Sequence, residues 1–331
     1  MAERIRISVD GMGGDYAPAN IVAGAVQAVS EFDVELLLVG IEDRLHTELR
    51  KHQVPANRIH VVNAPEIVGM DEQATSAVRR KKNSSMRIAI DLASKGESGS
   101  IISAGNTGAM YAMVKLHLGS LPGVDRLPLA ALFPYPEGKT IVLDVGANVD
   151  CKPHHLLEFA LMGSVYAQEI LNIKSPRVGL LSIGEEEAKG NDQTKETFHL
   201  LRKSGLDFLG NVDGHDIFKG KADVVVCDGF VGNVALKVSE SLIETIFHIL
   251  QPQMDSSLGR ILTGYFDYSE YGGAPLLGAR VPSFVCHGRS NSKAIKNAIR
   301  VAMEFCRHNV NERIQRKIIT VESGKSRVVE S

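Results

Sequence analysis

Three short stretches hold residues whose types and spacing suit chemistry. In Gly184-Glu185-Glu186-Glu187-Ala188-Lys189-Gly190-Asn191-Asp192, a lysine stands in a turn among glycines, beside three glutamates. Such a lysine can fix a phosphate or stabilise an oxyanion, although a solvated lysine at a helix end would have the same local sequence. In Ile101-Ile102-Ser103-Ala104-Gly105-Asn106-Thr107-Gly108-Ala109-Met110, an apolar run ends in a small turn and an apolar helical pattern follows. A strand that runs through a tight turn into a helix leaves free amides and a positive dipole end, which suit an anion. Gly105 and Gly108 let the backbone come close to a ligand, and Ser103, Asn106 and Thr107 add side-chain hydrogen bonds. An ordinary connection capped by Asn106 or Thr107 reads the same way. In Asp228-Gly229-Phe230-Val231-Gly232-Asn233, the asparagine opens a helix, either as a ligand-facing amide or as a plain N-cap.

A fourth stretch, Asp10-Gly11-Met12-Gly13-Gly14-Asp15-Tyr16-Ala17-Pro18, is too glycine-rich to be regular. Its aspartates could orient a ligand or pair with amides of their own loop. The basic run Arg79-Arg80-Lys81-Lys82 fits a solvated face and equally an acidic protein partner.

The elements that must carry these turns alternate. Apolar runs at Ile5–Asp10, Val34–Gly40, Arg58–Val62, Thr140–Asp144, Arg177–Ile183 and Val224–Cys227 read as strands. Amphipathic stretches around Ile21–Val29, Asp43–Lys51, Ile88–Ala93 and Pro153–Leu171, and one running to about Leu250, read as helices. This alternation predicts a mostly parallel sheet covered on both faces. Ligands of such sheets gather at the carboxyl ends of the strands, which is where these four turns and a fifth, Asp144–Asp150, fall, so the five are expected to converge on one cleft. Gly324–Ser331 is polar and expected to fray.

Bulk properties narrow the function further. With 331 residues, 44% of them hydrophobic, the chain can bury a large core in two subdomains or one large α/β unit. A formal net charge of −2 argues against a general nucleic-acid binder. Cys151, Cys227, Cys286 and Cys306 are far apart and read as reduced core residues, so a soluble, intracellular protein is expected. The Gly-rich signatures of P-loop and dinucleotide-binding proteins are missing, as is the Gly-x-Ser-x-Gly elbow. Adjacent His154 and His155 would point to different faces of a helix and make a poor metal site, so no metal and no cofactor is expected.

The Asp10–Pro18, Arg79–Met86, Ser103–Ala109 and Asp228–Asn233 motifs together resemble the bacterial phosphate acyltransferase family, PlsX, from Ile5 to about Ile319. The resemblance implies a three-layer α/β/α fold like that of phosphate acetyltransferases and isocitrate-type dehydrogenases, with two subdomains, a cleft and a homodimer. It implies subdomains at about 1–145 plus 275–331 and about 146–274, with a helical dimer or membrane-tip segment at 235–278. The implied reaction converts long-chain acyl-[acyl-carrier protein] and inorganic phosphate to acyl phosphate for phospholipid synthesis, by direct attack of phosphate on the thioester. Lys189 and Asn233 match the family's catalytic residues. Ser103, Gly105, Asn106, Thr107, Gly108, Asp10, Gly13 and Gly14 are then expected to bind phosphate or substrate. Arg79, Arg80, Lys81 and Lys82 would dock the acidic carrier protein. Leu258, Ile261, Leu262 and Phe266 would touch a membrane surface or meet a membrane-bound glycerol-3-phosphate acyltransferase, making the protein cytoplasmic and peripherally membrane-associated. Two other readings stay open: a phosphate acetyltransferase using acetyl-CoA, and a non-catalytic acyl-carrier or membrane-interaction protein.

Overall fold

The computed structural model describes residues 4–250 and 268–329, with side chains to residue 321. The chain begins β1 (Ile5–Asp10), α1 (Ala19–Glu31), β2 (Val34–Gly40), α2 (Glu42–Leu49), β3 (Ile59–Asn63), α3 (Ala74–Arg80), α4 (Ser85–Ser94), β4 (Ser100–Ser103) and α5 (Thr107–His117). It continues as β5 (Ala130–Tyr135), β6 (Gly138–Leu143), α6 (Pro153–Ile170), β7 (Arg177–Leu181), α7 (Asp192–Arg202), β8 (Asp207–Val212), β9 (Val224–Val226) and α8 (Gly229–Leu250). The last elements are β10 (Ala274–Pro275), β11 (Ser283–Val285), α9 (Ser292–Arg307) and α10 (Val310–Val329).

The strands form two sheets instead of one. The first runs β10-β11-β4-β1-β2-β3 and the second β5-β6-β9-β7-β8. Each is parallel except at one edge, where β10 and β5 pair antiparallel. Two compact units follow from this: Met1–Leu121 with Tyr268–Asn311, and Pro122–Asp267 with Glu312–Ser331. The boundary falls earlier than residue 145, because β6 pairs with β9 and takes the β5–β6 hairpin into the second unit. Likewise the chain's return to the first unit precedes residue 275, and its final helix belongs mostly to the second.

In unit one, Ile7, Ser8, Val9 and Asp10 are all buried, so β1 is covered on both faces, as the apolar runs of a central parallel strand require. Ile101 and Ile102 of β4 lie beside it, fully buried. Val142, Leu143, Val178, Leu180 and Val224–Val226 do the same in unit two. The parallel register of β1 with β4, and of β6 and β7 with β9, aligns the carboxyl ends of these strands within each unit. Every turn singled out above except the basic run leaves one of those ends.

Candidate active site

In unit one the site grows from Asp10, the last residue of β1. Its carboxylate is buried and accepts from Ser103 Oγ at 2.7 Å and from the Met12 amide at 3.2 Å. Burial pushes this carboxyl above its ordinary value, against the pull of hydrogen bonds from Ser85, Ser103 and the Met12 and Gly13 amides. Ser103 Oγ in turn accepts from the Gly105 amide at 3.0 Å, so one carboxylate shapes two neighbouring loops. Gly13 is where those loops touch: a Cβ there would lie 2.6 Å from Asp10 Oδ2 and 2.7 Å from the Gly105 nitrogen. Asp10, expected among the ligand-binding residues, is thus committed to its own loop, and Ser103 with it.

Asn106 is also committed. Its Oδ1 caps α5 by accepting from the Ala109 amide at 2.9 Å, and its Nδ2 donates to the carbonyls of Met70 at 2.8 Å and Glu72 at 2.9 Å. An amide that both caps a helix and ties down a loop has little left for a ligand. Thr107 and Gly108 differ: both are exposed, their amides head α5, and neither makes a hydrogen bond outside that helix among the described residues. Amides at the head of a helix are the kind of donor an anion can use. Arg79 and Arg80 close α3, and Lys81 and Lys82 follow it. All but the half-buried Lys81 are exposed. Ser84 caps α4 by accepting from the Arg87 amide.

Unit two uses the corresponding place on β6. The Asp144 carboxylate, fully buried, accepts from the amides of Leu129, Gly146, Ala147 and Asn148 and from Asn148 Nδ2, at 2.6–3.1 Å. Burial raises this carboxyl too, while those donors pull it down. The first turn of α8 sits directly on the loop so formed. Gly229 donates its amide to the Asn148 carbonyl at 2.8 Å, and a Cβ on Gly232 would overlap the Asp144 carbonyl oxygen. Asn233 therefore lies inside α8, exposed, with its Oδ1 close to Gly146. It is not the N-cap: Asp228 is, accepting from the Val231 amide at 2.9 Å.

Lys189 sits on the β7–α7 turn, exposed, and forms no ion pair among the described residues. Two of the three glutamates beside it are engaged elsewhere: Glu185 with Lys221 at 2.6 Å and Glu187 with Arg202. Its ammonium is left available to a ligand. No cysteine offers a nucleophile, since burial pushes Cys151 and Cys286 up to about 12, Cys306 to about 11 and Cys227 well above its ordinary value.

His154 and His155 do not point apart as expected. Both reach Asp125 Oδ2, at 3.7 and 2.8 Å, and these three groups bring candidate ligand atoms within 4.8 Å of one another. However, His155 Nδ1 accepts the Lys152 amide at 2.9 Å, so the neutral ring carries its proton on Nε2 and gives it to Asp125. The nitrogen facing Asp125 is a donor, which suits a helix start better than a cation.

Beyond its first turn α8 buries no residue, and Val234, Val238, Leu242 and Ile246 form an exposed apolar row at four-residue spacing. The expected tip residues Leu258, Ile261, Leu262 and Phe266 lie outside the described residues. Among the described residues no helix is long and apolar enough to cross a membrane.

Comparisons with known proteins give the family and the fold. Residues 5–313 match the family described as "Fatty acid synthesis protein". A phosphate acyltransferase of Geobacter sulfurreducens is 50% identical over 328 residues, covering 96% of this chain and 95% of that one. One from Pelotomaculum thermopropionicum is 47% identical over 330 residues, covering 96% of each. Among solved structures, a phosphotransacetylase from Streptococcus pyogenes superposes with a TM-score of 0.67 at 16% identity, covering 92% of this chain and 95% of that one. The EutD phosphotransacetylase from Staphylococcus aureus gives 0.65 at 15% identity, covering 92% and 94%. Those two establish the α/β fold alone. The sequence match, nearly end to end at about half identity, establishes more: this chain belongs to the fatty acid synthesis protein family that includes the phosphate acyltransferases.

Proposed function

We propose that this enzyme, an acyltransferase by its family, transfers a long-chain acyl group from acyl-[acyl-carrier protein] to inorganic phosphate and so supplies acyl phosphate for phospholipid synthesis. A phosphate oxygen attacks the thioester carbonyl carbon and an oxyanion forms. Its collapse breaks the C–S bond, and the carrier's thiolate leaves. Phosphate is already nucleophilic, so catalysis reduces to positioning two substrates and stabilising developing negative charge. The Thr107 and Gly108 amides supply an anion cradle, to which the reading assigns phosphate. In unit two, Lys189 and Asn233 supply a cation and an amide, groups that suit a phosphate oxygen or the oxygen of a thioester carbonyl.

The observation that carries this reading is Lys189, left unpaired although three glutamates flank it, because Lys221 and Arg202 take two of them. An ammonium that forms no ion pair among the described residues, with two of its three neighbouring carboxylates taken by other cations, suits an anionic ligand. Arg79–Lys82 fits the acidic carrier protein by charge. The apolar row on α8 fits a second copy of the chain, and the segment after it a peripheral contact with membrane.

The test is thioester loss from palmitoyl-[acyl-carrier protein], with and without phosphate, beside palmitoyl-CoA and acetyl-CoA. Phosphate-dependent cleavage of the carrier substrate, with acyl phosphate trapped by hydroxylamine, is expected. Lys189→Ala should lower turnover about 100-fold or more at saturating phosphate. Preference for acetyl-CoA would move the enzyme to the acetyltransferase reading, and no cleavage of any donor would leave a binding role.

A further inference from the structure

Asn211, on β8, touches no substrate-facing group directly, yet it holds the turn that bears Lys189. Its Nδ2 donates to the Glu186 carbonyl at 2.9 Å, and that same carbonyl accepts the Lys189 amide at 3.0 Å. The Glu186–Lys189 bond closes the turn, so one oxygen joins β8 to the backbone of the lysine. The lysine's stem folds back over the turn, with Cγ only 3.1 Å from where a Gly184 Cβ would stand. A small shift of Glu186 therefore moves the ammonium.

The strand is built to deliver this amide. Val178 pairs with Phe208 but Gly179 pairs with Gly210, so Leu209 is an extra residue in β8 and stands exposed. A bulge of this kind re-aims the side chains that follow it. Asn211 comes next but one, 4% exposed, opposite Leu180 at the end of β7. Its other atom, Oδ1, has no hydrogen-bond partner among the described residues, nor has Ser182 Oγ at the start of the same turn. Burying an amide with half its hydrogen bonding unmet costs stability. A leucine of similar volume would avoid that cost, so the donor to Glu186 is what the asparagine contributes here.

We infer that Asn211 is a positioning residue, fixing the Lys189 turn in its working geometry at some expense to stability. The inference rests on the reading of Lys189 given above. The experiment compares Asn211→Leu and the isosteric Asn211→Asp with wild type, alone and combined with Lys189→Ala, in the phosphate-dependent assay and by thermal unfolding. Asn211→Leu should lose roughly 10- to 100-fold in kcat, as small misplacements of a charged group do, while its Tm stays level or rises. Asn211→Asp, which sets a carboxylate against the Glu186 carbonyl, should lose at least as much kcat. Neither variant should slow Lys189→Ala further, because the group being positioned is gone. Full turnover in Asn211→Leu, or the same fractional loss with and without Lys189, would overturn the inference and leave Asn211 a structural residue. If Lys189→Ala alone kept wild-type turnover, the reading of Lys189 would fail first, and that arm shows it separately.

Discussion

Each unit places a buried aspartate at the carboxyl end of an inner strand, where it organises a glycine-rich loop, but the two aspartates do so with different partners. Asp10 takes the Ser103 hydroxyl at 2.7 Å and the Met12 amide at 3.2 Å, with the Ser85 hydroxyl and the Gly13 amide also drawing its carboxyl down. Asp144 takes four backbone amides and one side-chain amide, with no hydroxyl among them. A hydroxyl can turn around and accept where it had donated, whereas an amide cannot. The loop at Asp10 can therefore rearrange its protons, while the loop at Asp144 is fixed in one sense. What rests on each loop matches. Unit one presents exposed amides at Thr107 and Gly108, and unit two carries the first turn of α8, where Gly232 leaves no room beside the Asp144 carbonyl.

Asp144 is the more sensitive of the two aspartates. Asp144→Asn would turn an NH2 toward at least two of the five donors, and each buried group left unpaired costs about 1–3 kcal/mol. We expect a loss of about 3–5 kcal/mol in urea unfolding, with turnover falling too because Asn233 rides on the same loop. A variant within about 1 kcal/mol of wild type would show that the converging amides are not what makes Asp144 necessary.

Asp10→Asn should be milder. Ser103 and Ser85 can reorient to accept from the new amide, leaving mainly the Met12 or Gly13 amide to find another partner, at about 1–2 kcal/mol. Turnover should fall less than in Asp144→Asn, since no catalytic side chain is carried on the Asp10 loop. Equal losses at the two aspartates would mean that the hydroxyl partners do not provide the tolerance argued here.

How much of this could be read from sequence depended on whether the relevant partner was local. The Ser103–Gly108 turn was legible because its apolar run, glycines and helical pattern are contiguous. The destination of Asn106 was not, since its amide reaches back more than thirty residues to Met70 and Glu72, just ahead of α3. Lys189 was visible as a cation among glutamates, but that Lys221 and Arg202 would take two of those carboxylates depends on residues far along the chain. Asn233 looked like a cap because Gly232 precedes it. Asp228 caps instead, and the glycines at 229 and 232 serve close packing against the Asp144 loop. Asn211 could not be found at all, because its direction depends on a bulge, and strand periodicity assumes there is none. The strands were placed within a few residues, yet their division into two sheets hinged on the pairing of β6 with β9, which a hydrophobic pattern does not specify.

The smallest effect concerns how each loop hands over to its helix. α5 is capped by Asn106, which does not titrate, whereas the loop of Asp144 leads to α6 through His155, whose Nδ1 accepts the Lys152 amide. Burial lowers the His155 imidazole below its ordinary value; Asp125 opposes this, and His154 and Arg126 add to it. Protonating Nδ1 would remove the acceptor, so the folded state favours the neutral ring. With the folded value below the unfolded one, near 6.5, the unfolded chain binds the extra proton first. Stability from this group is then complete above about pH 6.5 and is lost as pH falls beneath it. One proton limits the slope to about 1.4 kcal/mol per pH unit. His155→Gln should flatten unfolding free energy between about pH 5 and 7 relative to wild type, while Asn106→Ala should lower stability by about 1 kcal/mol evenly across that range. If both variants instead kept the wild-type pH slope, the His155 contact with Lys152 would be incidental, and the two helix starts would differ in residue type but not in behaviour.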